Sequence, residues 1–334
     1  MKRCLHPRKR KKPKNKSSEI IIAVKKDTRI RFIDLFAGIG GMRLPFDDLG
    51  CECVFSSEID KFCIKTYESN FNEIPHGDIT EIDESNIPPH DLLLAGFPCQ
   101  AFSNAGLRKG FDDTRGTLFF DIARVLNHHK PQAFLLENVK GLLSHDNGRT
   151  IRIIDKTLQD LGYWVKMDHL NAKDFGLPQN RERVFLVGFR DAFNFQFPIP
   201  TMESTMLGDI LQKRVANKYT ISDKIWTSHK LRKEKARAKG HGFGYSLFDR
   251  KSEYTSTISS RYYKDGSEIL IEQKNKNPRM LTPREAARLQ GFPEEFIIPV
   301  SDTQAYRQFG NAVPVNVIRH LAKEISEIFS QINS

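Results

Sequence analysis

Short apolar runs alternate along the chain with longer amphipathic stretches from Arg31 onward. RFIDLF, CVFSSEID, DLLLAGFP, AFLLENV and RVFLVGF read as buried strands, because each is a brief apolar block bounded by polar or glycine residues. Between them, Lys61 to Phe71, Leu118 to His128 and Thr150 to Leu161 carry a helical spacing of apolar positions. Strand and helix in alternation predict βαβ units and a parallel sheet covered on both faces. In such sheets the site lies beyond the carboxyl ends of the strands. The unusual polar residues fall there: Gly38, Gly40 and Gly41 after the first run, Glu58 closing the second, Asp78 in a GDI turn, Pro98 and Cys99 after the third, and Glu137 with Asn138 at the end of the fourth.

After Phe197 the texture changes. Residues 193–280 hold many basic and aromatic residues and few long apolar runs, which predicts a second, smaller and mostly β domain. Residues 281–307 read as a hinge or connecting region. Within it, Thr282, Pro283 and Glu285 signal a helix start for Thr282 to Gln290. A last helix is expected over Val317 to Ile332, returning the chain to the first domain, so the catalytic unit is expected to comprise residues 29–192 and 308–334. Residues 1–28 read as a disordered basic tail, dense in Lys and Arg from Lys2 to Lys16 and interrupted by Pro7 and Pro13.

Charge narrows the partner. The chain of 334 residues carries a formal net charge of +11, which suits a polyanion such as DNA. No apolar run approaches the ~20 residues needed to cross a bilayer, and the basic N-terminus lacks the apolar core of a signal peptide, so a cytoplasmic protein without membrane association is expected. The five cysteines, Cys4, Cys51, Cys53, Cys63 and Cys99, are irregularly spaced and resemble no disulfide framework. No Cys/His cluster offers a metal site. Four of them read as small buried apolar residues; Cys99 is the exception.

The glycine turn in DLFAGIGG follows a strand, and Glu58 follows about twenty residues later, a spacing that places a carboxylate on ribose hydroxyls in nucleotide-binding α/β folds. Asp78 is placed to accept from an adenine amino group. Neither GxGxxG nor the P-loop pattern GxxxxGK is present, so a nucleoside without a pyrophosphate, such as S-adenosylmethionine, fits better.

The ordered set DLFAGIGG, SSEID, GDI, GFPCQAFS, DTRGTLFF, ENVKG, QNRER and QFGNAV resembles the cytosine-5 DNA methyltransferases of bacterial restriction-modification systems, from about Arg31 to the C-terminus. The resemblance implies an S-adenosylmethionine-dependent, Rossmann-like α/β catalytic domain with a target-recognition domain. It implies Cys99 as the nucleophile that adds to C6 of cytosine, Glu137 at ring N3, and Arg181 and Arg183 holding the base oxygen O2 or steadying Glu137. Phe36 and Ile79 would line the adenine pocket, and Asn311 would close the methionine end. Ile59 departs from the aromatic residue that some members have there.

For DNA, Gln100 and Ser103 sit beside Cys99, and Arg115 with Thr117 offers phosphate contacts. The segment GHGFGYSLF with TSTISSRYYKDGSEILI resembles the recognition regions of Dcm-type enzymes, which implies a target of CC…GG type. There Thr257 resembles a family threonine near the flipped base, Arg261 is a guanine reader and Lys264 a phosphate contact. Asp265-Gly266 also reads as a plain hairpin turn. A tRNA cytosine methyltransferase and a non-enzymatic repressor are the other readings. Double-stranded DNA, an accompanying restriction endonuclease and a monomer are the expectations for partners and assembly.

Overall fold

A computed structural model describes residues 29–98, 118–201, 205–240 and 244–332. All five predicted runs form strands: β1 (Arg31–Leu35), β2 (Glu52–Ser57), β3 (Leu92–Gly96), β4 (Ala133–Val139) and β6 (Glu182–Phe189). A sixth, β5 (Trp164–Asn171), joins them in the order β2-β1-β3-β4-β6-β5. The sheet is not wholly parallel as expected. β1 to β4 run parallel, whereas β6 is antiparallel to both β4 and β5. The cause is the connection: ten residues, with one 3-10 turn at Ala172–Phe175, join β5 to β6. That is too short for a crossover helix, so the chain reverses.

This reversal positions the site. β6 begins where β1, β3 and β4 end, so its first residues enter the same edge as Glu137. In register, Arg183 lies opposite Val139.

Successive side chains on a strand face opposite sides, and the two faces bury two cores. Phe32, Leu92, Leu94 and Phe185 pack on one face with Val317, Leu321 and Ile325 of α9 (Val315–Ile332). Ile33, Leu93 and Leu136 pack on the other with α3 (Leu118–His129) and α4 (Arg149–Asp160). Burying each such side chain contributes roughly 1.5–3 kcal/mol. α1 (Arg43–Asp48) follows the glycine turn. α2 (Lys61–Phe71) starts where Asp60 accepts hydrogen bonds from the N–H groups of Phe62 and Cys63.

The smaller part is not mostly β. Among its described residues the regular elements are α5 (Leu207–Ile210), a 3-10 turn (Asn217–Tyr219), α6 (Asp223–Ala238) and two two-residue strands, β7 (Leu247–Phe248) and β8 (Leu270–Ile271), which pair parallel. Asp265-Gly266 therefore does not join two antiparallel strands; it closes a turn in which Gly266 N–H donates to Tyr262 O at 3.0 Å. The region lacks long alternating runs, so loops pack around a third core instead. That core takes Leu207, Ile258, Tyr262 and Ile269 together with Leu281, Leu289 and Phe309. Residues 281–307 are thus packed into it, not a bare connector, through α7 (Pro283–Leu289) and α8 (Asp302–Asn311). Thr282 and Glu285 form the capping box of α7, and Glu285, wholly buried, also receives two hydrogen bonds from Arg279 at 2.7 and 2.9 Å.

Candidate active site

One cleft of about 800 Å³ runs from the turn after β1, past the ends of β3 and β4, to the segment 257–263 of the smaller part. At its first end the backbone turns through the left-handed region. Phe36 and Gly38 both have positive φ, 56° and 57°. Gly40 has φ 81°, and a Cβ there would lie 2.2 Å from the Phe71 ring. No other residue fits that position. Gly38 N–H donates to Glu58 Oε2 at 2.7 Å, and Ile59 and Asp60 N–H donate to Oε1 at 2.9 and 2.8 Å. The Glu58 carboxylate is therefore fixed between the turn after β1 and the start of α2. Beside it Ile59 lies 68% exposed on the cleft wall, an apolar side chain without cover.

Two buried polar atoms on the same walls have no protein partner among the described residues: Asp34 Oδ2 and Gln308 Nε2. Burial pushes the Asp34 carboxyl up to about 8, with Arg43 opposing. The sequence reading missed both residues. Asp34 did carry a signal, as an acid inside an apolar strand run.

At the other end, Glu137 lies two residues before the end of β4 with 8% of its surface exposed. Arg183 Nε lies 3.0 Å from its Oε1. Burial raises the Glu137 carboxyl above the usual range, and it outweighs the opposing pull of Arg183 and Arg181. The next residue, Asn138, donates to Phe97 O at 2.8 Å, which ties the end of β4 to the strand exit that leads to Pro98 and Cys99. Cys99, Gln100, Ser103, Arg115 and Thr117 lie outside the described residues.

Arg181 does not accompany Arg183. It precedes β6, so the alternation of a strand does not apply to it, and it is fully buried. Its guanidinium donates to Ile258 O at 3.0 Å, Gly310 O at 2.9 Å and Ala312 O at 2.7 Å. It joins the 257–260 segment to the end of α8. The same joint includes Gln179, whose Oε1 accepts from Ile258 N–H at 3.0 Å, and Thr257, whose hydroxyl donates to Asn180 O at 2.5 Å. Gly310 has no room for a side chain, since a Cβ would meet the Ser259 backbone at 2.3 Å.

Asn311, at the end of α8, lines the cleft, as do Gly41, Thr257 and Arg261. Gly40 faces Phe71 instead. Asp78 and Ile79 are not on its walls: Asp78 Oδ1 accepts from Thr80 N–H at 2.9 Å to start a 3-10 turn, and Ile79 is buried in the core beneath. Lys264 is exposed one residue beyond the cleft lining. Tyr263 and Arg307, absent from the sequence reading, face each other across the mouth, with Arg307 donating to the Tyr263 hydroxyl at 3.2 Å.

The family model of the C-5 cytosine-specific DNA methylases matches residues 30–327. The chain belongs to this family. It is an enzyme of DNA cytosine methylation, and the Glu137–Arg183 pair and the fixed Glu58 sit in the part of the methylase that the match covers. The Type II methyltransferase M.DsaV of Dactylococcopsis salina is 61% identical over 301 residues, covering 89% of this chain and 86% of that protein. The Type II methyltransferase M.HhaI of Haemophilus parahaemolyticus is 41% identical over 323 residues, covering 92% and 97%. Among solved structures, the S. pombe Dnmt2 methyltransferase shares the fold with a TM-score of 0.75 at 21% identity, covering 92% of this methylase and 100% of that chain.

Proposed function

We propose that this methylase moves the methyl group of S-adenosylmethionine to C5 of a cytosine turned out of a duplex, at a site of CC…GG type, as the protective partner of a restriction enzyme. The single observation behind the reading is the one cleft that holds Glu58 and the glycine turn at one end and Glu137 with Arg183 at the other.

The residues present fit the cofactor. Exposed Ile59 offers an apolar face for adenine. Glu58, held by three backbone N–H groups, keeps acceptor capacity for ribose hydroxyls. The unpartnered Asp34 and Gln308 atoms supply an acceptor and a donor on the same wall, and Asn311 lies nearby in sequence. Asp78, with Ile79 beneath it, would reach the adenine amine from beyond the rim. When bound, S-adenosylmethionine supplies an electrophilic methyl group.

The chain's own residues do the rest. Cys99, as thiolate, adds to C6 of the base, and the displaced electron pair makes C5 nucleophilic. Glu137 holds a proton at N3 and so favours that addition. Arg183 orients Glu137 and presents its remaining N–H groups toward the base oxygen. After transfer a solvent water takes the C5 proton, the C5–H electrons re-form the C5–C6 double bond, and the S–C6 bond breaks with its electrons returning to Cys99 as thiolate. Unstacking the base costs a few kcal/mol, which Gln100 and Ser103 would offset by filling the gap. Thr257, Arg261 and Lys264 would meet the target strand, with Arg115 and Thr117 on phosphates. In this division residues 29–192 with 308–334 catalyse, and 193–280 recognise.

Methyl transfer from labelled S-adenosylmethionine to duplex DNA, followed by bisulfite sequencing, tests the reading. A mark on the inner cytosine of a recurring CC…GG site is expected; a recurring mark elsewhere would overturn the target. Separately, Glu58→Ala is expected to weaken cofactor binding by about 10- to 100-fold, because a charge-assisted contact contributes about 1.5–3 kcal/mol. Calorimetric titration that finds an unchanged Kd would remove Glu58 from the cofactor site.

A further inference from the structure

α6 is an unusual helix for its length. Of its 16 residues only His229 is buried. Helices in folded domains gain most of their stability by packing an apolar stripe, and α6 has none. It is also where the charge sits. The helix itself has six Lys and Arg residues against two acids, Asp223 and Glu234, and with its flanks the stretch from Lys213 to Lys239 has ten against the same two, which is +8 of the chain's +11. Among the described residues, only Lys218 and Arg232 of those ten meet a carboxylate. Like charges recur at i,i+4, as in Lys233 with Arg237, which repel on a helix surface.

The helix is nevertheless tied down: Asn277 donates to Asp223 at its start, Lys233 donates to Tyr245 O, and its one buried residue anchors it to the turn beside the cleft. Arg232 donates to His229 Nδ1 at 2.6 Å; arginine is only a donor, so Nδ1 accepts and Nε2 carries the proton. Nε2 then donates to Asp265 O at 3.1 Å, and Arg232 reaches Asp265 Oδ2 at 3.2 Å. Trp226 packs edge-on against Tyr245. Asp265 belongs to the turn that presents Arg261 and Tyr263 to the cleft. The whole of α6 is about 24 Å long at 1.5 Å per residue, and apart from His229 its residues are exposed or half-exposed.

We propose that α6 is a second DNA-contact surface, which holds the phosphate backbone of the duplex outside the methylated site. The proposal rests on the reading of this enzyme as acting on duplex DNA. Lys224, Lys235 and Lys239 fall within about 60° of one another around the helix axis, at 100° per residue, and so form one stripe along its length. A duplex carries one charge per ~1.7 Å of its axis, so such a stripe meets several phosphates of either strand. These contacts carry no base preference; they add affinity and salt dependence to whatever site the cleft selects.

The test uses the full chain and its K224Q/K235Q/K239Q variant, which leaves His229, Arg232 and every cleft residue in place. Binding is measured against salt with two duplexes centred on the methylated site, one of about 40 base pairs and one trimmed to about 12. Each lost phosphate contact lowers the slope of log affinity against log salt by about 0.9, so the variant should lose about 3 units on the long duplex and bind it about tenfold more weakly at low salt. On the short duplex it should match the wild type, as should kcat at saturating DNA and the Kd for S-adenosylmethionine. An unchanged slope on the long duplex would overturn the proposal and leave the stripe to another acidic partner. Equal losses on both duplexes would also overturn it, by placing these lysines at the site itself. Failure of the wild type to methylate any duplex would instead strike the underlying reading, before any variant is made.

Discussion

Glu137→Gln is expected to lower kcat by about 10²–10⁴-fold while the Kd values for cofactor and DNA hold within a few-fold. The side chain keeps its shape, and its amide oxygen can still accept from Arg183 Nε, now 3.0 Å from the carboxylate. What is lost is a transferable proton. Burial raises the Glu137 carboxyl above its usual range despite Arg183 and Arg181, so the folded enzyme keeps the protonated form to higher pH than a free glutamate would. The contribution of Glu137 to the rate should therefore be present below that raised value and be lost as pH rises through it, and the Gln variant should lack this falling limb. Single-turnover transfer across pH reads both effects. A variant with near wild-type rate, or with the same pH limb, would remove Glu137 from the N3 position.

Arg181→Ala is expected to destabilise the protein by about 3–5 kcal/mol, the range for removing a buried charged partner. The change strands the carbonyls of Ile258, Gly310 and Ala312 in a dry interior and leaves a void. Arg181→Lys should recover only part of the loss, because one ammonium cannot reach three diverging carbonyls as a planar guanidinium does. Urea unfolding separates the possibilities. If Arg181→Ala unfolds at the wild-type midpoint yet transfers no methyl groups, then Arg181 acts on the base after all.

The contrast between Arg181 and Arg183 shows where sequence reasoning reaches its edge. The buried runs announced β1 to β4 and β6, because each strand is apolar on both faces. The polar residues just after them announced the cleft, since Glu58 and Glu137 have no packing reason to stand there. β5 stayed hidden: from Trp164 to His169 its side chains are exposed or half-exposed, so neither periodicity nor an apolar block marks it. α6 escaped for a related reason, having no stripe to find. The direction of β6 depends on the length of a connection. The fate of Arg181 depends on three carbonyls 77 to 131 residues away, which no local pattern encodes. Asn138 was visible within ENV, but its grip on Phe97 O appears only once β3 and β4 lie side by side.

The core on one face of the sheet is built from opposite ends of the chain: Phe32 and Phe46 near its start, Val317 to Phe329 near its finish. During synthesis, the first strand must wait for nearly the whole chain before its covering helix emerges. A nascent chain that stops short of residue 315 presents an uncovered apolar sheet face, the kind of surface on which chaperones act. A chain that stops short of residue 310 also lacks Gly310 and Ala312, whose carbonyls close on Arg181. Modification of DNA should accordingly begin only when the last helix leaves the ribosome, with no partly active precursor earlier in translation.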